Sequence, residues 1–375
     1  MEQKKIFANI SRLNEYMDAA GLDALVLRSG QNFTYLTQVV YPGTLARHQD
    51  LVDSARAVIL LWPRHGTPCI ITNKTAAGLA RRDAANMDIY LYEGYLESPY
   101  DVLTKAVADN GLSTAKIGFE KYYTNAADWE RVKTTNPQME MVACDDLMDR
   151  VRWIKTEAEI EQIRKAADML DDVYLDVFSN IRYGDSERKI HANMIEACLS
   201  CGFEWAHGIL NSDKNIIPYA GESDFVVRKG DVIRTDYVAY LKSYPGHQSR
   251  NVILGRPSAL QIADYRRNLE IYREAISRCR AGAIVGDIYE FVMEEFKKSQ
   301  WSYNSLLIGH GVGPWWHQQE PILKKGSTVR LEKGMVLALE PHKDHWHVQD
   351  MILIGEGDPI LLSSKFNTDE PYVVG

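Results

Sequence analysis

The chain lacks several features that would place it in a special class of protein. Its 375 residues include only five cysteines, and no apolar run approaches the roughly 20 residues needed to span a bilayer. Acidic residues outnumber basic ones, 51 to 43, which gives a net charge of −8. These absences argue against a disulfide framework, a membrane partner and a nucleic-acid partner. The N-terminal residues carry no apolar signal segment, so we expect a cytoplasmic protein.

What is present is the composition of an ordinary globular protein, with 45% hydrophobic and 25% charged residues. The length predicts two domains. Residues 1–150 alternate short β-type runs with helical patterns, which predicts an α/β domain with a mixed or largely parallel sheet. Residues 151–375 combine long helices with returning strands, which predicts an α+β domain with an antiparallel sheet.

Two segments of the second half carry the chemistry. Residues 309–313 read Gly-His-Gly-Val-Gly, and residues 334–341 read Gly-Met-Val-Leu-Ala-Leu-Glu-Pro. Glycines on both sides of His310 let the backbone approach a reacting centre closely. The aliphatic strand that ends in Glu340 places one carboxylate in an apolar wall, where it needs a cation or a hydrogen-bonding partner.

These two segments resemble those of the creatinase, prolidase and methionine aminopeptidase family (M24). The resemblance implies a creatinase-type α/β N-terminal domain over residues 1–150 and an α+β catalytic domain of the pita-bread fold over residues 151–375. It also implies a hydrolase that acts on a small-molecule substrate and forms a homodimer.

The resemblance also identifies metal ligands and two departures from them. Members that bind two ions use two aspartates eleven residues apart, a histidine in a Gly-His-Gly segment, and two glutamates. Asp236, His310 and Glu340 match three of these positions, but His247 and Gln349 occupy the places of the second aspartate and the second glutamate. Losing two anionic ligands removes much of the attraction that offsets repulsion between the ions. We therefore do not expect the usual pair of divalent ions.

Two alternatives remain for this site. In the first, His247, His310 and Glu340 hold a single ion of iron, manganese or zinc, with Asp236 or Gln349 as a further ligand or orienting group. In the second, no metal binds and the histidines perform acid–base chemistry directly, as in the creatinase branch.

Other candidates surround these residues. The resemblance matches His317 to a histidine that handles a proton, and it places Tyr219 near an upstream substrate-contacting histidine. His207 could supply an imidazole from nearby. The candidate substrate contacts are Trp315, Trp316, Arg250 and Arg56. In contrast, His342, His345 and His347 lie in a polar loop, where solvent exposure is the simpler expectation.

The altered ligands favour a hydrolase that cleaves a C–N bond in a small polar non-peptide metabolite of the amide, urea or guanidino type. His310, His317 and Glu340 would carry this reaction, with or without one divalent ion. The alternatives are an Xaa-Pro dipeptidase or aminopeptidase with reduced metal content, a metal-dependent lyase, and a catalytically inactive binding module. One fold hosts many chemistries, so the resemblance does not choose among them.

Overall fold

The computed structural model describes residues 7–39, 56–215, 217, 221–303 and 305–375. The chain divides into two compact units, residues 1–152 and 153–375. Each unit has its own sheets and its own apolar clusters. Within the described residues, no helix is both long enough and apolar enough to cross a bilayer.

The first unit is built on a mixed six-stranded sheet in the order β4-β3-β2-β1-β5-β6. Its strands are β1 Ala24–Arg28, β2 Ile59–Pro63, β3 Cys69–Asn73, β4 Asp88–Tyr92, β5 Lys116–Phe119 and β6 Glu140–Ala143. Its helices are α1 Ile10–Ala20, α2 Gln31–Thr37, α3 Ala77–Asp83, α4 Pro99–Asp109, α5 Ala126–Thr135 and α6 Asp145–Trp153, the last ending one residue into the second unit.

The central strand β1 shows why this sheet is covered on both faces. All five of its residues are buried. Leu25 and Leu27 pack into one apolar cluster, whereas Ala24 and Val26 pack into another. Alternate side chains point to opposite faces of a strand, so each face has its own core. The predicted α/β unit is confirmed.

Among its described residues, the second unit contains four long helices and two five-stranded sheets. The helices are α7 Glu157–Asn180, α8 Glu187–Ser200, α9 Ala259–Arg278 and α10 Val285–Lys298. One sheet contains β7 Trp205–Ser212, β8 Val232–Leu241, β9 Tyr244–Gln248, β10 Asn251–Leu254 and β16 Tyr372–Val374. The other contains β11 Leu307–Gly311, β12 Gln319–Lys324, β13 Val336–Leu339, β14 Asp350–Leu353 and β15 Ile360–Leu361.

Local signals define where the longest helices begin. Thr156 and Glu159 form a capping box at the start of α7, and Ser258 and Gln261 form one at the start of α9. In each box the cap side chain accepts from the backbone N–H three residues on, and the side chain there accepts from the cap N–H, so two free backbone donors at the helix start are satisfied. The sheets of this unit are mostly antiparallel, and the predicted α+β class is confirmed.

Candidate active site

The candidate site lies where the two sheets of the second unit meet. His247 lies on β9 of one sheet, and His310 lies on β11 of the other. Ser249 and Gln349 join the sheets by an isolated antiparallel bridge, with two backbone hydrogen bonds of 3.2 Å. This junction gives the site a rigid frame, because strands from both sheets supply its side chains.

The glycines beside His310 are required by the strands on either side. A Cβ atom at Gly309 would overlap the carbonyl oxygen of Ala338 on β13, and one at Gly311 would overlap the carbonyl oxygen of Glu320 on β12. The glycine-rich motif therefore lets β11 pack closely between its two neighbours. This close packing holds His310 between β12 and β13.

Three buried histidines form the centre of the site. Side-chain nitrogens of His247, His310 and His317 all lie within 4.8 Å of one another. The ring centroids of His247 and His310 are 5.3 Å apart, and those of His247 and His317 are 4.5 Å apart. Two of these histidines were predicted as metal ligands and the third as a catalytic residue, and the structure brings all three together.

Backbone carbonyls fix which nitrogen of two histidines carries the proton. His310 Nδ1 lies 2.8 Å from the carbonyl oxygen of Gly311, and His247 Nδ1 lies 3.2 Å from that of Tyr237. A carbonyl oxygen only accepts, so Nδ1 must donate in both rings. In the neutral ring, Nε2 then carries a lone pair, which is the arrangement that a metal ligand needs.

Burial keeps these rings neutral. It lowers the pKa of His247 to about 3 and the pKa of His310 to about 3, and in each case a neighbouring histidine adds to the shift. Burial, with the same neighbours, also lowers the pKa of His317 well below its usual range. Neutral imidazole is the form that binds a metal ion, so the cluster is in its ligand state at neutral pH.

Two carboxylates border the cluster. Glu340 follows β13 directly, and its Oε1 lies 4.0 Å from His310 Nε2 while its Oε2 lies 3.5 Å from His347 Nε2. Asp236 on β8 places Oδ1 3.7 Å from His247 Nδ1. Burial raises the pKa of Glu340 well above its ordinary value, and the nearby Asp236 carboxylate adds to this shift. Burial also raises the pKa of Asp236.

The side chains present fit one divalent ion but not two. The three histidine nitrogens that lie within 4.8 Å of one another suit one transition-metal ion, and Glu340 Oε1, 4.0 Å from His310 Nε2, would add an oxygen ligand. Gln349 is fully buried, and its Oε1 accepts from the hydroxyl of Ser249 at 2.9 Å. Its other atom, Nε2, is a donor and cannot bind a metal ion. A second ion would therefore lack the anionic ligands that it needs.

The aromatic side chains mark one edge of the cluster. Tyr240 Oη accepts from the backbone N–H of His317 at 3.1 Å and lies 3.2 Å from His317 Nδ1. The ring of Trp316 is 41% exposed and lies parallel to that of His207, with centroids 6.0 Å apart. Trp315 is half-buried, and its backbone N–H donates to the backbone carbonyl oxygen of Ser243 at 2.9 Å. Trp316 thus forms the exposed edge beside His317.

The sequence allows Arg250 to pair with a carboxylate of the substrate or with one of the protein, and in the structure it pairs with carboxylates of the protein. Its side chain is 1% exposed. The guanidinium donates to Asp171 Oδ1 at 2.8 Å, to Asp350 Oδ1 at 2.7 Å and to the carbonyl of Gln349 at 2.7 Å. Arg250 therefore joins α7 to the start of β14 from within the core.

Two other predicted residues do not contribute to the described site. Arg56 belongs to the first unit, where it is exposed and donates to Tyr95 Oη at 3.2 Å. Its contact with substrate stays a prediction. Tyr219 lies outside the described residues.

Two buried side chains of the site were not predicted. His347 is fully buried, so the expectation of a solvent-exposed loop histidine is wrong at this position. Arg234 on β8 is 5% exposed and donates from Nε to His347 Nδ1 at 3.3 Å. A signal for Arg234 was present in the sequence, because a cation two residues before Asp236 on an apolar strand lies on the same face as the aspartate.

Comparison with known families and proteins agrees with this geometry. The profile of metallopeptidase family M24 matches residues 161–357. The chain belongs to this family. The profile of the creatinase/prolidase N-terminal domain matches residues 9–154. The predicted M24-family hydrolase, with a creatinase-type N-terminal domain and a pita-bread catalytic domain, is confirmed.

Relatives within family M24 differ in activity. An Xaa-Pro dipeptidase of Pyrococcus furiosus is 28% identical over 218 residues, which are 56% of this chain and 62% of that protein. A creatinase of Bacillus sp. strain B-0618 is 22% identical over 93% of this chain and 84% of its own length. The crystal structure of an X-Pro aminopeptidase from Thermotoga maritima MSB8 has a TM-score of 0.83 at 21% identity, covering 97% of this chain and 99% of that one. The structural likeness shows the shared fold.

Proposed function

We propose that this protein hydrolyses the C–N bond of a short Xaa-Pro peptide with a single divalent ion. His247 Nε2, His310 Nε2 and Glu340 Oε1 would hold the ion. The observation that carries the proposal is the fixed tautomer of two buried histidines. In each ring Nδ1 donates to a backbone carbonyl, which leaves the lone pair of Nε2 available for an ion. Such orientation of a ligand by its other ring nitrogen is typical of metal-binding histidines.

The low basicity of the buried rings favours the metal-dependent reading over direct histidine catalysis. A general base is most effective when its pKa lies near the working pH. Burial lowers the pKa of both His247 and His310 to about 3, which makes each ring a weak base. The same neutral rings are good ligands.

Each residue of the cluster has a separate role in the proposed hydrolysis. An ion bound there would activate a water molecule and polarise the scissile carbonyl. Burial raises the pKa of Asp236, so its carboxylate would take up the proton that the attacking water loses and pass it to the leaving nitrogen as the C–N bond breaks and the C–O bond forms. His317 is a weak base for the same reason as the other two rings, and it would bind the scissile carbonyl. Tyr240 holds the backbone of His317 in place. Glu340 and Asp236 balance the positive charge of the ion.

The names of relatives and the exposed ring of Trp316 support a substrate that contains proline. The printed names of relatives include an Xaa-Pro dipeptidase and an X-Pro aminopeptidase. Trp316, exposed beside His317, offers a flat apolar face on which a pyrrolidine ring can pack. The two tryptophans were predicted to contact substrate, and we retain Trp316 in that role.

A small non-peptide amide is the second candidate substrate. The loss of two anionic ligand positions and the likeness to a creatinase over 93% of this chain favour it. The chemistry at the carbonyl carbon would be similar, so substrate assays must separate the two candidates.

The test combines metal content with a substrate panel. Wild-type protein is saturated with Mn²⁺, freed of excess metal, and its metal content is measured by plasma mass spectrometry. It is then assayed on Xaa-Pro dipeptides and on small amides, ureas and guanidino compounds. His247→Ala is the test variant. His65→Ala is the control, because this histidine is exposed and belongs to the first unit.

We expect about one ion per chain in the wild type and in His65→Ala, no bound ion in His247→Ala, and cleavage of proline dipeptides only by the two metal-bound proteins. Activity on small amides alone would support the second candidate. A metal-free wild type that is active without added ions would show that the metal-dependent proposal is wrong.

A further inference from the structure

We propose that Arg234, acting through His347, is an internal cation that takes the place of a second metal ion in this site. The inference rests on the proposed single-ion function and extends it to two residues that no sequence motif identified. Arg234 would be a positioning residue, because it reaches the reacting centre through His347 and Glu340.

The first step is the direction of the hydrogen bond between Arg234 and His347. A guanidinium only donates, and Arg234 Nε lies 3.3 Å from His347 Nδ1. His347 Nδ1 must therefore accept, so the proton of the neutral ring is on Nε2. This tautomer is the opposite of that in His247 and His310, whose Nδ1 atoms donate to carbonyl oxygens.

The second step is what the Nε2–H group of His347 faces. It lies 3.5 Å from Glu340 Oε2 and has no hydrogen-bond partner among the described residues. A small closing movement would make the Nε2–H donate to that oxygen. Glu340 then uses Oε2 to accept from His347, and its Oε1 faces His310. A carboxylate used in this way can bind one ion but cannot bridge two.

The third step concerns Gln349, whose Nε2 is also buried without a partner in the described part of the chain. Its Oε1 already accepts from Ser249. The site therefore has two buried N–H donors, one from His347 and one from Gln349 at the position of the lost glutamate, where a second ion would need an acceptor. Donors of this kind repel a cation.

The fourth step is the balance of charge. Arg234 lies on the same face of β8 as Asp236, two residues away, and is 5% exposed. Asp236, Glu340 and Arg234 together carry one net negative charge when ionised. One divalent ion makes the site positive by one, and a second would find no further carboxylate to offset it.

The test rebuilds the carboxylates that the chain lacks. A double variant, His247→Asp with Gln349→Glu, restores five acidic or histidine ligands but keeps Arg234. A triple variant adds Arg234→Leu. Each protein is saturated with Mn²⁺, and bound metal is counted by plasma mass spectrometry, with folding checked by circular dichroism. A second triple variant with Arg234→Lys is the control that keeps the positive charge.

We expect one ion per chain in the double variant and in the Arg234→Lys variant, and two in the Arg234→Leu variant. Two ions in the double variant, or one in the Arg234→Leu variant, would overturn the inference. The proposed function is tested separately by the metal content of the wild type, so the two can fail independently.

A second measurement is made on the wild type and uses one variant only to assign a signal. Nitrogen-15 NMR of labelled histidine rings distinguishes the two tautomers, and His347→Gln assigns the signal. We expect His347 to carry its proton on Nε2, and His247 and His310 to carry theirs on Nδ1. A proton on Nδ1 of His347 would remove the link between Arg234 and Glu340, and with it the inference.

Discussion

Replacing Arg250 with methionine is expected to destabilise the second unit strongly instead of weakening substrate binding alone. The side chain is 1% exposed, and its Nη2 donates to both Asp171 and Asp350. Methionine fills a similar volume, so the main loss is the cation between two carboxylates that are 0% and 6% exposed. Removing one partner of a buried ion pair costs about 3–5 kcal/mol, because the remaining charge stays buried without compensation.

The assay is urea unfolding followed by tryptophan fluorescence, with thermal unfolding as a second readout. A loss of about 4 kcal/mol should lower Tm by about 10 °C for a unit of this size. Arg266→Met is the matched control. It removes a 2.6 Å ion pair with Glu370 in the same unit, but both side chains are more than half exposed. Such surface pairs contribute less than about 1 kcal/mol.

The outcome decides between the two roles considered for Arg250. An internal ion pair requires a large loss of stability in Arg250→Met and almost none in Arg266→Met. If Arg250→Met keeps the stability of the wild type within about 1 kcal/mol and loses only affinity for substrate, the side chain contacts substrate and our reading of the structure is wrong.

Two further predictions follow from buried groups. Burial raises the pKa of Glu120 from 4.5 to about 7. Between these two pH values the folded state still holds the carboxyl proton that the unfolded state has released. The free energy of unfolding should therefore fall by about 3 kcal/mol as pH rises from 4.5 to 7. Urea titrations of the wild type and of Glu120→Gln check this, and an equal pH dependence in both would contradict it. Gly311→Ala places a methyl group on the carbonyl oxygen of Glu320, so it should cost about 1–3 kcal/mol and lower the metal content. Gly357→Ala, where a Cβ meets nothing within 4 Å, should change neither quantity, and equal effects at the two glycines would refute the steric argument.

Most helices of the second unit could be predicted from the sequence because their signals are local. The spacing of apolar residues predicts helices at about 157–179 and 259–281, and the structure has them at Glu157–Asn180 and Ala259–Arg278. Apolar periodicity and capping residues act within a few turns, so they can be recognised without knowing the tertiary structure.

Strands that depend on close packing could not be predicted in this way. β9 contains Pro245 and Gly246, which are residues typical of a turn, yet all five of its residues are buried. A Cβ at Gly246 would lie 2.5 Å from the carbonyl oxygen of Ala166 on α7. The glycine is therefore needed where the helix backbone crosses the strand, and only the tertiary structure shows this contact.

The site was predicted in part for a similar reason. The segments around His310 and Glu340 have a recognisable sequence pattern, and His247 was identified by its spacing of eleven residues from Asp236. His347 has no such pattern, and the only signal for Arg234 is that it shares a face of β8 with Asp236. The contact between Arg234 and His347 joins β8 to a loop more than 100 residues away in the chain. A polar loop is usually solvated, and the structure alone shows that His347 is enclosed.

The altered positions of this site change its charge in one direction. An imidazole at 247 and an amide at 349 each replace an anionic ligand of the two-ion pattern, and Arg234 adds a positive charge on the face of Asp236. Loss of one carboxylate alone would leave a two-ion site with too little negative charge. Loss of two, together with an internal cation, instead gives a set of charges that one divalent ion and one hydroxide or substrate carboxylate can neutralise. The changes therefore agree better with the proposed single-ion site than with the decay of a site for two.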